Sequence, residues 1–397
     1  MYDYRYEPHR LVFMIDNKSF FASCESIRLG LNPMKSVLAV ISRQPDSSWG
    51  SGLIMAASPL AKKKYGLHNV MRARNLPSKK EAPDLMLVDP HMNLYIKRSM
   101  QVLDIFHKYA ADEDIHMYSI DEGMIDMTNS WKLFGDDPYY VARKIQKDIH
   151  DTLGLYTTCG IGENPLLAKL AMDISAKHRE SMIDFWHYID VPDTIWRIPK
   201  LEDVWGINTK TADHLRRLGI NNMYDLAHSN PEIMKREFGV IGEQLYAMSW
   251  GVDRSIIRNK YITKAKIGLF IGYSFDSIDP DHPRGGFNVQ KKITPTNDNH
   301  DLTTQLIALF RSKWQGEGVR NIGVDYGDLS LDTSQQFNLF VKPDLQVKRK
   351  TSDKTVDSLR KKYGFSSVVK ASSLLPGATA IRRSKLVGGH NGGNAYE

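Results

Sequence analysis

The chain has 397 residues, is 42% hydrophobic and carries a net charge of +7. That length exceeds a single ordinary core, so about two to four domains are expected. No run of about 18 apolar residues occurs, and Met1-Tyr2-Asp3-Tyr4-Arg5 lacks the apolar stretch of a secretory signal, which predicts a cytoplasmic protein with no membrane segment. Cys24 and Cys159 are the only cysteines and have no partners at metal spacing; both read as core residues, with neither a zinc site nor a disulfide framework. Residues 341–397 hold 12 Lys/Arg against 4 Asp/Glu, so the basic excess sits at the C-terminal end. It suits a polyanion partner or a tail kept soluble by its charge.

In chain order, residues 1–9 read as a mobile polar-aromatic extension. Leu11-Val12-Phe13-Met14-Ile15 is an uninterrupted apolar run, the pattern of a strand buried on both faces, and it terminates in Asp16. Phe20, Phe21, Cys24 and Ile27 then recur at helical spacing. Phe20 reads as core; Phe21 suits either the core or a bound substrate. Ser36–Ile41 reads as a strand, and the stretch after Pro59 carries Lys62, Lys63 and Lys64. Arg72 and Arg74 suit either added positive charge or an exposed face. A helix is predicted between His91 and Tyr109, and another opens at Pro138 with Val141, Ile145 and Ile149 on one stripe. Thr157–Pro165 begins a strand-turn-helix whose stripe of Leu166, Leu170 and Ile174 leaves Lys169 on a flank.

Tyr118-Ser119-Ile120-Asp121-Glu122-Gly123 reads as an acidic turn between two strands, a pattern that alone is bland. Asp16 changes its meaning. A carboxylate at the mouth of a buried strand is costly unless paired or metal-bound. If the two segments are neighbours, Asp16, Asp121 and Glu122 form one patch whose charges repel and resist ionisation. Two divalent cations would resolve that repulsion, and hard oxygen donors without His or Cys suit Mg²⁺ or Mn²⁺. Two such ions roughly 3.5–4 Å apart serve in-line phosphoryl or nucleotidyl transfer.

The pairing of FMIDNKSFFASCE with YSIDEGMIDMT resembles the Y-family translesion DNA polymerases, and the Ala-Ser-Cys-Glu ending resembles their UmuC-like (ImpB/MucB/SamB) branch. The resemblance implies an α+β multidomain fold of right-hand polymerase type, with palm, small fingers, helix-hairpin-helix thumb and little finger. It implies Asp16, Asp121 and Glu122 as metal carboxylates, the Asn17 carbonyl as a further ligand, and Phe21 as the ring beneath the sugar that excludes a 2′-hydroxyl. Ala57–Gly66 resembles the fingers motif whose basic residue contacts the triphosphate; Lys62 is the choice there, with Lys63 next to it. Pro59 stands where a Tyr is frequent, and the lysine run is one residue longer. Lys169, in its LLAKLA setting, is implied to neutralise triphosphate charge.

Residues 201–226 read as two short helices around a Gly-containing hairpin, which resembles a helix-hairpin-helix holding a DNA phosphate at a helix N-terminus through Gly206, Asn208 and Lys210. Asn208 replaces a usual second glycine and is the non-glycine residue that best tolerates a positive φ. A basic linker near Lys260–Lys266 precedes the expected little finger, with a helix bearing Leu302, Leu306, Leu309 and Phe310 and a strand over Val319–Leu331. Gln336, Leu339 and Phe340 resemble a sliding-clamp peptide. Glycine-rich residues after Leu386 read as flexible, and residues 365–390 resemble the tails of UmuC-like proteins of Gram-positive bacteria. The implied division is palm 1–28 and 86–175, fingers 29–85, thumb 176–255, little finger 260–335, and clamp-binding peptide with basic tail 336–397.

The resulting expectation is a template-directed translesion polymerase acting on primer-template DNA and dNTP, with two Mg²⁺ ions or Mn²⁺, the sliding clamp as partner and an accessory SOS protein as a further candidate. A nucleotide cyclase also uses paired carboxylates on a palm-like sheet, but the hairpin and the clamp-like peptide oppose that reading. A non-catalytic DNA-binding subunit is opposed by the presence of all three carboxylates.

Overall fold

The computed structural model describes residues 2–42, 52–257, 262–274, 285–331 and 343–376, with isolated positions between 378 and 391. Two compact units result: Met1–Asn259 with Lys385–Glu397, and Lys260–Ser384.

In the first unit, β1 (Val12–Asn17) runs into α1 (Phe20–Arg28), followed by β2 (Leu38–Ser42), β3 (Leu53–Ala57), α2 (Pro59–Tyr65), β4 (Met86–Val88) and α3 (Met92–Phe106). Next come β5 (Ile115–Met117), β6 (Glu122–Asp126), α4 (Pro138–Leu153), β7 (Thr157–Gly162), α5 (Pro165–Leu170) and β8 (Ile183–Trp186). A helical cluster completes the unit: α6 (Thr209–Arg217), α7 (Met223–Ala227), α8 (Pro231–Phe238) and α9 (Val240–Ser249). The main sheet has the order β5-β6-β1-β7-β8, and a smaller one the order β3-β2-β4.

β1 lies inside the main sheet, antiparallel to both β6 and β7. Its alternation explains the unbroken apolar run. Phe13 and Ile15 face one core with Tyr95, Ile145 and Ile149, while Val12 and Met14 face Met124, Ala168 and Met172 on the other side. Four helices start on the same local device, a side-chain cap followed by proline at the first turn: Ser58-Pro59, Asp137-Pro138, Asn164-Pro165 and Asn230-Pro231. α5 lies directly on β7 because β7 carries glycine where they meet. A β-carbon at Gly160 would sit 2.1 Å from the Ala168 carbonyl oxygen, and one at Gly162 would sit 2.3 Å from the Ala168 nitrogen.

The N-terminal residues are not a mobile extension. Tyr4–Tyr6 forms a 3₁₀ turn capped by Asp3, and Tyr2 and Tyr4 pack against the core of the helical cluster. Burying aromatic rings outweighs the entropy that composition alone emphasises. Cys24, Cys159 and Phe20 are buried, as read.

The second unit holds β9 (Ile262–Tyr273), β10 (Gly286–Thr296), α10 (Asn299–Lys313), β11 (Val319–Leu331) and α11 (Pro343–Tyr363), with the sheet order β10-β9-β11. Leu302 and Leu309 of α10 pack on Ile267, Leu269 and Ile271. The expected basic linker is largely strand, since Lys264 and Lys266 pair with β11. The tail is not uniformly flexible either: α11 spans 21 residues, and Leu386–Val387 pairs with His390–Asn391. Gln336, Leu339 and Phe340 lie outside the described residues, as does Asp279–Pro283.

Candidate active site

The β1–β6 register places Asp16 directly opposite Glu122, and the β1–β7 register places Thr158 opposite Asp16 on the other side. Directly opposed residues in an antiparallel pair have Cα atoms roughly 4.5–5.5 Å apart. Asp16 shares parity with Val12 and Met14, and Glu122 with Met124, so both carboxylates lie on the face covered by α5. Asp121 is held at the same strand end: its carbonyl accepts from the Asn17 backbone nitrogen (2.9 Å) and Nδ2 (3.0 Å). Its carboxylate accepts from Ser119 Oγ at 2.7 Å.

Positive charge arrives from the opposite side. After α5 the helix continues as a π turn over Ala171–Ser175 and a 3₁₀ turn over Ala176–His178, which carries Lys169, Asp173 and Lys177 along one edge. Lys169 Nζ lies 2.7 Å from Glu122 Oε1 and 3.1 Å from Asp173 Oδ2. Lys177 Nζ lies 2.9 Å from Asp173 Oδ1 and 3.7 Å from Asp16 Oδ2. An alternating chain results: Glu122, Lys169, Asp173, Lys177, Asp16. Lys169 is therefore not on a flank; its side chain is 7% exposed. Leu166 and Leu170 are buried as their spacing predicts, but a glycine-bearing strand draws the helix so close that its edge is buried as well.

Burial is the largest influence on Asp16 and, with Glu122 and Asp121 pushing the same way against Lys177 and Lys169, lifts its pKa from 3.8 to about 6. Burial opposes charge on Lys177, yet Asp16, Asp173 and Glu122 together hold it above the ordinary lysine value. Lys62 is lowered, chiefly by burial, although Asp16 pulls the other way. Lys62 is half-buried, while Lys63 is exposed and Lys64 pairs with Asp84 at 2.6 Å. Arg72 and Arg74 are exposed.

Phe21 is half-buried and stacks on Tyr95 with ring centroids 4.5 Å apart. Tyr95 Oη donates to Glu25 Oε1 at 2.7 Å, and the fully buried Glu25 is also bonded to Arg28 and His91. In the hairpin, Gly206 has φ +91. Asn208 does not take a positive φ: at φ −88 it is the N-cap of α6, its Oδ1 accepting from the Thr211 nitrogen at 2.9 Å. Capping outcompetes the turn role because Asn serves both and the helix leaves amides to satisfy. The first helix of the motif is only a 3₁₀ turn, Leu201–Asp203. Lys210 is exposed on α6. Trp205 Nε1 donates to Tyr118 Oη at 3.2 Å, joining the hairpin to the acidic turn.

Sequence reading missed Lys177, Asp173, Ser119 and Tyr95. A signal existed for two of them in the i, i+4, i+8 series Lys169, Asp173, Lys177.

Among the described residues, no three His, Cys, Asp or Glu side chains form a metal cage; the two lysines supply the countercharge. The donor set still fits hard divalent cations, being carboxylates and carbonyls without thiolate or imidazole. Asn17 Oδ1 and Thr158 Oγ1, beside these carboxylates in the sheet, are buried without a hydrogen-bond partner.

The fold is that of the Y-family polymerases. The solved ternary complex of Dbh DNA polymerase is similar at a TM-score of 0.62 with 19% identity, over 81% of this chain and 100% of that one. DinB from Sulfolobus solfataricus is similar at 0.59 with 20% identity, over 80% and 98%. Residues 15–173 match the impB/mucB/samB family and residues 239–339 its C-terminal domain. The putative UV-damage repair protein UvrX of Bacillus subtilis is 32% identical over 98% of this chain and all of its own length. DNA polymerase IV 2 of the same organism is 29% identical over 96% of this chain and 98% of its own. The chain belongs to the impB/mucB/samB family, the UmuC-like branch of the Y-family polymerases. Among the described residues, no helix is long and apolar enough to cross a membrane.

Proposed function

We propose that this chain is a template-directed DNA polymerase of the translesion type, in which a primer 3′-hydroxyl attacks the α-phosphate of a dNTP and pyrophosphate leaves. The observation that carries the proposal is the β1–β6 register, which sets Asp16 against Glu122 beside Lys169. In this reading the main sheet is the palm (1–28 and 86–175), the small sheet the fingers (29–85), the helical cluster the thumb (176–255) and residues 260–335 the little finger. Asp16, Asp121, Glu122 and the Asn17 carbonyl would hold two Mg²⁺ ions, or Mn²⁺. Bound there, divalent cations supply charge neutralisation and an activated primer hydroxyl.

The chain itself contributes position and electrostatics. Lys62 and Lys169 draw the triphosphate in, and Lys169 exchanges Glu122 for phosphate as it does so. Phe21, backed by Tyr95, lies under the sugar. Gly206, Asn208 and Lys210 take a DNA phosphate at the N-terminus of α6, and Gln336, Leu339 and Phe340 dock on the sliding clamp. Primer extension with Mg²⁺ and four dNTPs tests the reading. Asp121→Asn should abolish extension while DNA binding persists; synthesis by that variant would reject the site.

A further inference from the structure

Residues 2–10 precede the region matched by the family, which begins at residue 15, and the chemistry above makes no use of them. They are tied at two places far apart in sequence. One is where the turns after β7 and β8 meet, Asn164 Nδ2 lying 3.1 Å from Tyr188 Oη. The Arg10 backbone nitrogen donates to the Glu163 carbonyl at 3.0 Å, His9 Nδ1 lies 2.9 Å from Glu163 Oε1, and Tyr188 Oη donates to the Pro8 carbonyl at 3.1 Å. The Tyr4 ring stacks on Tyr188 at 4.6 Å and 22°.

The other place is the chain leaving α9. Tyr4 Oη donates to the Trp250 carbonyl at 2.9 Å, Tyr2 packs on the Trp250 ring at 5.6 Å, and Arg10 Nη1 donates to the Ser255 carbonyl at 2.5 Å. Glu7, 8% exposed, accepts from Arg254 Nε at 2.7 Å and from Tyr2 Oη at 2.9 Å. From the sheet side, Asn164 Nδ2 reaches the Gly251 carbonyl at 2.7 Å.

Ordering nine residues costs backbone entropy at every one of them, so a segment with no task should fray. This one is instead fastened by stacked rings and by a buried carboxylate that a mismatched partner would leave costly. Glu163, at the first anchor, falls in one matched region, and Trp250, Arg254 and Ser255, at the second, fall in the other.

We propose that residues 2–10 are a strap that positions the helical cluster α6–α9 on the main sheet and fixes the chain leaving α9. Tyr4 and Glu7 are its positioning residues. The hairpin at Gly206 is thereby held at a set place relative to the carboxylates, and DNA bound by the hairpin is retained. The structural part stands without the polymerase reading; the effect on DNA rests on it.

The test compares the full chain with Tyr4→Ala and with a deletion of residues 2–9. Amide exchange is followed at Trp250, Gly251 and Val252, which bond back to the last turn of α9; dissociation from a labelled primer-template is measured alongside. The strap predicts exchange about tenfold faster at those amides and several-fold faster dissociation. The rate of adding one nucleotide to prebound DNA should be unchanged. Tyr4→Phe, which loses only the bond to Trp250, keeps the ring stack and gives a smaller shift in the same direction should the larger changes fail to fold. Unchanged exchange in Tyr4→Ala or Tyr4→Phe overturns the strap, and faster exchange with unchanged dissociation overturns its role in holding DNA. Absence of DNA binding by the unaltered protein would fault the polymerase reading instead.

Discussion

Without divalent cations, the stability of the main sheet should fall as pH rises from about 4 to a little above 6, and Asp16 should account for it. Its pKa is 3.8 in an ordinary setting and about 6 in the fold. Over that window the folded state binds the proton more tightly than the unfolded chain, so stability is fully present below about 4 and is lost as the folded carboxyl ionises. A shift of about 2 units corresponds to about 3 kcal/mol in all, of which about 1.3 kcal/mol disappears between pH 5 and 7. His9, raised by its bond to Glu163, drifts in the same direction at higher pH. Asp16→Asn is therefore the reference, because it keeps His9 and removes only the carboxyl titration. Urea unfolding of both proteins should show the variant gaining on the unaltered chain as pH rises, and saturating Mg²⁺ should close that gap at pH 7. A difference between the two that stays constant from pH 4 to 7 would refute the claim that burial and the neighbouring carboxylates govern this group.

Three further outcomes can be measured directly. Lys169→Met leaves Glu122 and Asp173 without their shared ammonium; the protein should lose about 2–3 kcal/mol, and kcat/KM for dNTP should drop about a hundredfold in single-nucleotide kinetics. Phe21→Ala should admit ribonucleotides in primer extension, and an unchanged preference for deoxyribose would remove the ring from that role. Gly160→Ala forces the Ala168 carbonyl to retreat from a contact of 2.1 Å. It should lower the melting temperature by an amount equivalent to more than about 2 kcal/mol and weaken catalysis because Lys169 rides on α5; unchanged melting would argue against the close seating of that helix.

Signals carried by neighbours in sequence were legible. The unbroken run before Asp16 reads as a doubly buried strand, and the α4 stripe of Val141, Ile145 and Ile149 is wholly buried. The hairpin of β5 and β6 closes at the acidic turn. Each rests on a period of 2 or 3.6 that the backbone itself enforces. The choice between Lys62 and Lys63 is of another kind, since adjacent residues of a short helix differ by about 100° and only the far wall decides which faces inward. Here the packing leaves Lys62 half-buried and Lys63 exposed.

What escaped the sequence depends on helices pressed closer than propensity can foretell. A regular helix read onward from Leu166 and Leu170 gives Lys169 an exposed edge. Gly160 and Gly162 instead let α5 settle onto the strand, and the π turn that follows resets the phase, so that Asp173 bonds both Lys169 and Lys177. Two lysines thus enter a patch that composition marks only as acidic. This explains how the carboxylates share one strand end: the countercharge is built into the covering helix, through Lys169 on Glu122 and Lys177 beside Asp16.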